Sequence, residues 1–189
     1  FVSTMLPFFA RRPDAWLELR TKSTQIRSLL AREPVANCVT AFSFTPAVVS
    51  RALEHHVPAI DKRINAIVRL ARAGWKVGLR FDPLIYVEDY RDHYAELFRE
   101  VFALLPADAV HSVSLGPFRL PRDFYNRMVR LYSDEPLFAG ALARRGNLVS
   151  YAPELETEMV DFCTATLLQY VSKHHLFPCL PDHVASPAE

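Results

Sequence analysis

A chain of 189 residues has room for one domain with a sizeable core, and its 50% hydrophobic and 23% charged residues exclude global disorder. Its 22 basic and 21 acidic residues leave a net charge of +1, so no strong overall field directs it to nucleic acid or to a membrane surface. No apolar run reaches the roughly 18 residues of a membrane helix. Cys38, Cys163 and Cys179 are odd in number and widely spaced, which makes neither a disulfide framework nor a metal motif and implies a reducing, cytoplasmic setting.

Apolar and polar residues alternate over Trp16 to Lys22, the period of a half-buried strand. Ser23 or Thr24 can cap a helix over Gln25 to Arg32. Ala36 to Phe44 is nearly continuous in apolar residues, which predicts a strand covered on both faces. Thr45-Pro46 opens a short helix to about Glu54. A stronger helix carries Ile64, Ile67, Val68, Leu70 and Ala71 as its stripe and stops at Gly74. Lys76 to Tyr86 is a third strand running into a loop, Tyr90 to Leu105 a helix, and Ala109 to Leu115 a fourth strand closing at Gly116-Pro117. Pro121 to Tyr132 and Leu155 to Lys173 are helical, with a hairpin expected near residues 144–151 and a Pro-rich, frayed tail over 177–189.

Strands alternating with helices imply right-handed βαβ units and a parallel sheet. The fold class is therefore α/β, as a small open sheet or part of a (β/α) barrel, and in both the functional residues belong at the carboxyl ends of the strands. That rule selects Arg20 and Lys22, Ser43, Asp82 beside Arg80, and Gly116 with Arg119. A lysine at a strand end suits an anionic ligand, a serine hydroxyl suits a ligand carboxylate or ribose, and a carboxylate beside an arginine suits a polar substrate. Arg144, Arg145 and Tyr151 bracket a basic turn with an aromatic, a pairing suited to a nucleic-acid backbone. His55-His56 and His174-His175 point apart as adjacent residues, so neither pair chelates a metal alone. The sequence holds no phosphate-cradling glycine loop and no nucleophile elbow.

In order and spacing, the run Leu17-Glu18-Leu19-Arg20-Thr21-Lys22-Ser23, then Phe42-Ser43-Phe44-Thr45-Pro46, then Asp61-Lys62-Arg63-Ile64-Asn65-Ala66, is similar to the spore photoproduct lyase family of radical S-adenosylmethionine (SAM) proteins. Ala73-Gly74-Trp75-Lys76-Val77-Gly78-Leu79-Arg80-Phe81-Asp82-Pro83 and Ser114-Leu115-Gly116-Pro117-Phe118-Arg119 continue the resemblance, which runs from about residue 16 to 176. It implies the second half of a partial (β/α)6 barrel over 1–120 with a helical carboxy-terminal extension over 121–176. It also implies that Lys22 and Ser43 contact SAM, that Arg80, Asp82 and Arg119 line the substrate side, and that Arg144 to Tyr151 meets damaged DNA. The expected activity is reductive cleavage of SAM to a 5′-deoxyadenosyl radical and hydrogen abstraction, with thymine photodimers in DNA as substrate.

The family holds its [4Fe-4S] cluster with Cys-x3-Cys-x2-Cys, a spacing these three cysteines cannot supply. With the missing initial Met, this implies the carboxy-terminal half of such an enzyme, inactive by itself and needing an amino-terminal half, or another chain, to cover its barrel edges. Two rival readings stay open. One is a non-catalytic module that binds nucleic acid or a partner; the other is a radical SAM enzyme with a non-DNA substrate.

Overall fold

A computed structural model describes residues 1–179. In chain order the elements are α1 (Val2–Ala10), β1 (Leu17–Thr21), α2 (Arg27–Leu30), β2 (Cys38–Ser43), α3 (Ala47–Leu53), α4 (Ile60–Arg72), β3 (Lys76–Leu84), α5 (Tyr90–Leu104), β4 (Val110–Pro117), β5 (Arg119–Pro121), α6 (Arg122–Leu131), β6 (Leu142–Arg145), β7 (Leu148–Tyr151), α7 (Pro153–Leu167) and β8 (Leu176–Pro178). Five strands form a parallel sheet in the order β1-β2-β3-β4-β8, and β5, β7 and β6 form a small antiparallel sheet.

The register explains the core. Leu17 pairs with Cys38, Phe42 with Leu79, Leu79 with Val113 and Phe81 with Leu115, so one face of the sheet is apolar across its width. Onto that face pack Ile64 and Ile67 of α4, Tyr94, Phe98 and Val101 of α5, and Met159 and Cys163 of α7, all buried in one continuous cluster. Helix α4 ends as its sequence dictates. Gly74 takes φ +87, the Trp75 N–H donates to the Leu70 carbonyl at 3.1 Å and the Gly74 N–H to that of Ala71 at 2.9 Å, a pair of bonds that a left-handed residue makes possible.

The opposite face is polar. It carries Glu18 and Arg20 of β1, Ser43 of β2, Arg80 and Asp82 of β3, and Ser112 and Ser114 of β4, placed there by the two-residue period of each strand. All six residues of β2 are nevertheless buried. The expectation of cover on both faces is met in a different way than by helices. The Arg80 guanidinium lies back over Gly78; a Cβ at position 78 would sit 2.8 Å from Nη2 and 3.1 Å from the Ala41 Cβ. Glycine leaves the long side chain room to fold flat there.

Four features differ from the sequence reading, the first being that α7 ends at Leu167 rather than running to Lys173. Helix α1 forms although Pro7 lies within it; Leu6 is buried, and the Asn37 amide closes the end of the segment by donating to the carbonyls of Phe9, Arg12 and Ala15 at 3.0, 2.8 and 2.6 Å. The helix expected over 25–32 is a single turn. Phe177 and Pro178, expected in a frayed tail, instead belong to β8, where an edge strand tolerates proline. The rest of that tail, 180–189, lies outside the described residues. Among the described residues no helix is long and apolar enough to cross a membrane.

Candidate cofactor and substrate site

Three polar clusters occupy the polar face and its carboxyl rim. The lowest centres on Arg80, which is buried. Its Nε and Nη2 donate to the two oxygens of Glu18 at 3.1 and 2.7 Å, Nη2 also donates to Ser112 Oγ at 2.9 Å, and Nη1 donates to the carbonyls of Leu79 and Ser112, both at 3.2 Å. All five guanidinium N–H groups are thereby used. Arg80 is a strut across three strands, with its donors used within the protein. The hydrogen bonds from Arg80 hold the Glu18 carboxyl below its ordinary range despite partial burial.

One layer higher, Arg20 Nε donates to Ser43 Oγ at 3.1 Å, and its Nη2 donates to the Asp82 carbonyl at 3.1 Å and to the Asp82 carboxylate. Ser114 Oγ donates to the other Asp82 oxygen at 2.6 Å. Ser43 Oγ accepts from Arg20, and among the described residues its own O–H has no acceptor.

The third cluster joins Lys22 to the far side of β2. Lys22 Nζ donates to Glu54 Oε1 at 2.6 Å, which Thr45 also reaches at 3.1 Å. Glu54 Oε2 accepts from Ser50 at 2.8 Å and from Arg63. Arg63 is 0% exposed and also donates to the carbonyls of Pro58, at 2.7 Å, and Ser43, at 3.2 Å, and to Ser50 Oγ at 3.1 Å. The Glu18–Arg80 and Arg20–Asp82 pairs are electrically balanced, whereas two cations face one carboxylate here. The surplus positive charge sits on Lys22, whose side chain is 39% exposed against 7% for Glu54. A cleft of about 670 Å³ opens beside Lys22 and Glu54, with Tyr132 and Phe138 among its walls.

Burial pushes the Glu54 carboxyl upward, but hydrogen bonds from Arg63, Lys22 and Ser50 and the charge of Lys22 outweigh it and bring the carboxyl from 4.5 to about 2. A carboxyl held below its unfolded value stabilises the fold above pH 4.5 and loses that contribution as the pH falls toward 2. The contribution is on the order of 2–3 kcal/mol. Urea unfolding at about pH 6 and about pH 3 is expected to show a smaller acid loss in Glu54→Gln than in the parent. Equal losses would remove Glu54 from the account.

The remaining candidates divide. Arg119 donates to the Cys179 carbonyl at 2.9 Å and to its Sγ at 3.1 Å, near the end of β4 but apart from the Asp82 cluster's hydrogen bonds. The hairpin of β6 and β7 presents Arg144 and Arg145 to solvent; Arg144 reaches Asn126 of α6 at 3.5 Å and Arg145 pairs with Glu156. Tyr151 is buried, and its hydroxyl accepts from the Tyr86 N–H at 2.9 Å. Its ring is turned into the core rather than toward solvent. Glu54 and Arg63 went unrecognised in the sequence. Their signal was there: Arg63 falls on the same helical face as Ile60, Ile64 and Ile67, and a cation on an apolar stripe requires a buried anion. Among the described residues no group of three or more His, Cys, Asp or Glu side chains is placed to hold a metal.

The sheet and its rim define an α/β protein with its polar groups gathered at the carboxyl ends of parallel strands, the usual place for a ligand in such folds. The family model for spore photoproduct lyase matches residues 2–124, and the chain belongs to that family. It is 30% identical over 98 residues to spore photoproduct lyase of Bacillus subtilis (strain 168), an alignment covering 52% of this chain and 29% of that protein. It is 23% identical over 95 residues to the Clostridium acetobutylicum enzyme of the same name, covering 50% and 28%. A spore photoproduct lyase double mutant with bound AdoMet and dinucleoside spore photoproduct superposes with a TM-score of 0.79 at 19% identity, over 94% of this chain and 54% of that one. A spore photoproduct lyase complexed with dinucleoside spore photoproduct gives 0.76 with the same coverage. The chain thus spans about half the length of the solved structures, and its aligned part less than a third of the curated relatives.

Proposed function

We propose that this chain supplies the carboxy-terminal half of a partial (β/α)6 barrel in a radical SAM enzyme that acts on a thymine photodimer in DNA. Lys22 and Ser43 hold SAM in this reading. Its main support is the third cluster: Lys22 carries the one unbalanced positive charge among these strand-end clusters, on the polar side of the sheet, and Ser43 is tied to it through Arg63 and Glu54. An exposed ammonium and a free hydroxyl donor fit the carboxylate of SAM. SAM bound there supplies the hydrogen-abstracting radical typical of radical SAM chemistry. The chain's own part is to bind and orient it, while Asp82, fixed by Arg20 and Ser114, and Arg119 line the substrate side.

An iron–sulfur cluster does not fit the described residues. Cys38 and Cys163 are buried in β2 and α7, and burial pushes both thiols up, to about 11 and about 12, away from the thiolate that iron requires. No step is therefore assigned to a cluster held by this chain. Contact with DNA falls to Arg144 and Arg145 together with Arg127 and Arg130 on the solvent side of α6.

The test is SAM affinity, measured by titration calorimetry on the gene product that contains these residues. Lys22→Ala is expected to weaken binding about tenfold or more, equivalent to about 1.4 kcal/mol, and Ser43→Ala by a smaller factor. Unchanged affinity in both variants would overturn the site.

A further inference from the structure

Resting on the reading of Lys22 as the group that meets the carboxylate of SAM, we infer that Glu54 is a positioning residue for that lysine and, through Arg63, for Ser43. A lysine has four rotatable side-chain bonds and at a strand end sweeps a wide volume, so free it would meet a ligand in few of its rotamers. Glu54 removes that freedom. One of its oxygens holds Nζ at 2.6 Å, while Thr45, Ser50 and Arg63 fix the carboxylate itself from three directions. Nζ has three donors, and this contact uses one.

The same carboxylate reaches the second ligand group. Arg63 bridges Glu54 Oε2 and the carbonyl of Ser43, so the end of β2 and the ammonium following β1 are braced against one buried ion pair. The chemistry also sets the sign of the site. Glu54 compensates Arg63, which is buried, and leaves the charge of Lys22 to be answered by an anion from the cleft beside it. Glu54 touches neither SAM nor substrate in this account and acts only through Lys22 and Arg63.

A double-mutant cycle separates positioning from simple support of the fold. SAM is titrated by calorimetry into the gene product containing this chain and into its Glu54→Gln, Lys22→Met and doubly substituted forms. Glu54→Gln is expected to weaken SAM about tenfold in the parent and by only about two- to threefold in the Lys22→Met background, where Ser43 alone is still positioned. Equal weakening in both backgrounds would show that Glu54 acts on the fold at large and would overturn the inference, as would undiminished affinity in the single variant. Unchanged affinity in Lys22→Met would overturn the reading of Lys22 beneath it, and the inference with it. The cycle is repeated with Glu54→Asp, which keeps an anion for Arg63 but shortens the reach to Lys22. It is expected to fold, and to lose affinity mainly where Lys22 is present.

Discussion

Arg63→Met is expected to lower the unfolding free energy by about 3–5 kcal/mol at neutral pH, the range for breaking a buried ion pair by removing one partner. Arg63 is 0% exposed, and the Glu54 carboxylate it meets is nearly as buried. Methionine fills much of the volume but leaves the Glu54 oxygen short of a cation and the carbonyls of Ser43 and Pro58 without their donors. Arg91→Met makes the contrast. Its partner Glu158 is solvent-exposed, as Arg91 is, so little stability is expected to be lost there. Urea unfolding of the two variants reads both outcomes. A loss below about 1 kcal/mol for Arg63→Met would mean that water reaches Glu54 when the guanidinium is removed.

Phe81→Ala is expected to cost a comparable amount, about 3–5 kcal/mol, by a different route. Phe81 is 0% exposed on the apolar face of β3, with the Phe98 ring 4.8 Å away edge-on and the Phe44 ring at 6.1 Å. Truncation opens a cavity between strand and helix that neither neighbour can fill without leaving its own contacts. Phe81→Leu keeps most of the volume and is expected to cost about 1–1.5 kcal/mol. Thermal and urea unfolding decide this, and equal losses for the two variants would show that the aromatic pairing, not the volume, matters. Asp82 follows Phe81 directly, so a slackened β3 also loosens the Arg20 contact.

The sequence made some parts of the molecule easier to read than others. The strand over Lys76 to Leu84 and the helix from Tyr90 were legible because their periods are clean and their apolar faces broad. Helix α1 and strand β8 were not: each contains a proline, and each depends on distant partners, Asn37 for the one and β4 for the other. Strand ends pointed to Lys22, Ser43 and Asp82, since position along a parallel strand is enough to nominate a residue. What strand ends do not specify is which polar groups neutralise one another. Arg80 and Asp82 lie two apart on the same face, yet the first is saturated within the protein and the second sits nearer the rim. Tyr151 illustrates the same limit, since an aromatic beside basic residues reads identically whether its ring faces solvent or the core.

Gly78 and Arg80 carry a consequence for how this strand can change over time. The guanidinium occupies the space a side chain at 78 would need, and it carries the bonds that join β1, β3 and β4. A side chain at 78 therefore has to push the guanidinium out of part of these bonds, and loss of the arginine leaves Glu18 and Ser112 without their partner. The two positions are thus coupled: what a substitution at 78 costs depends on whether the arginine is there to be displaced.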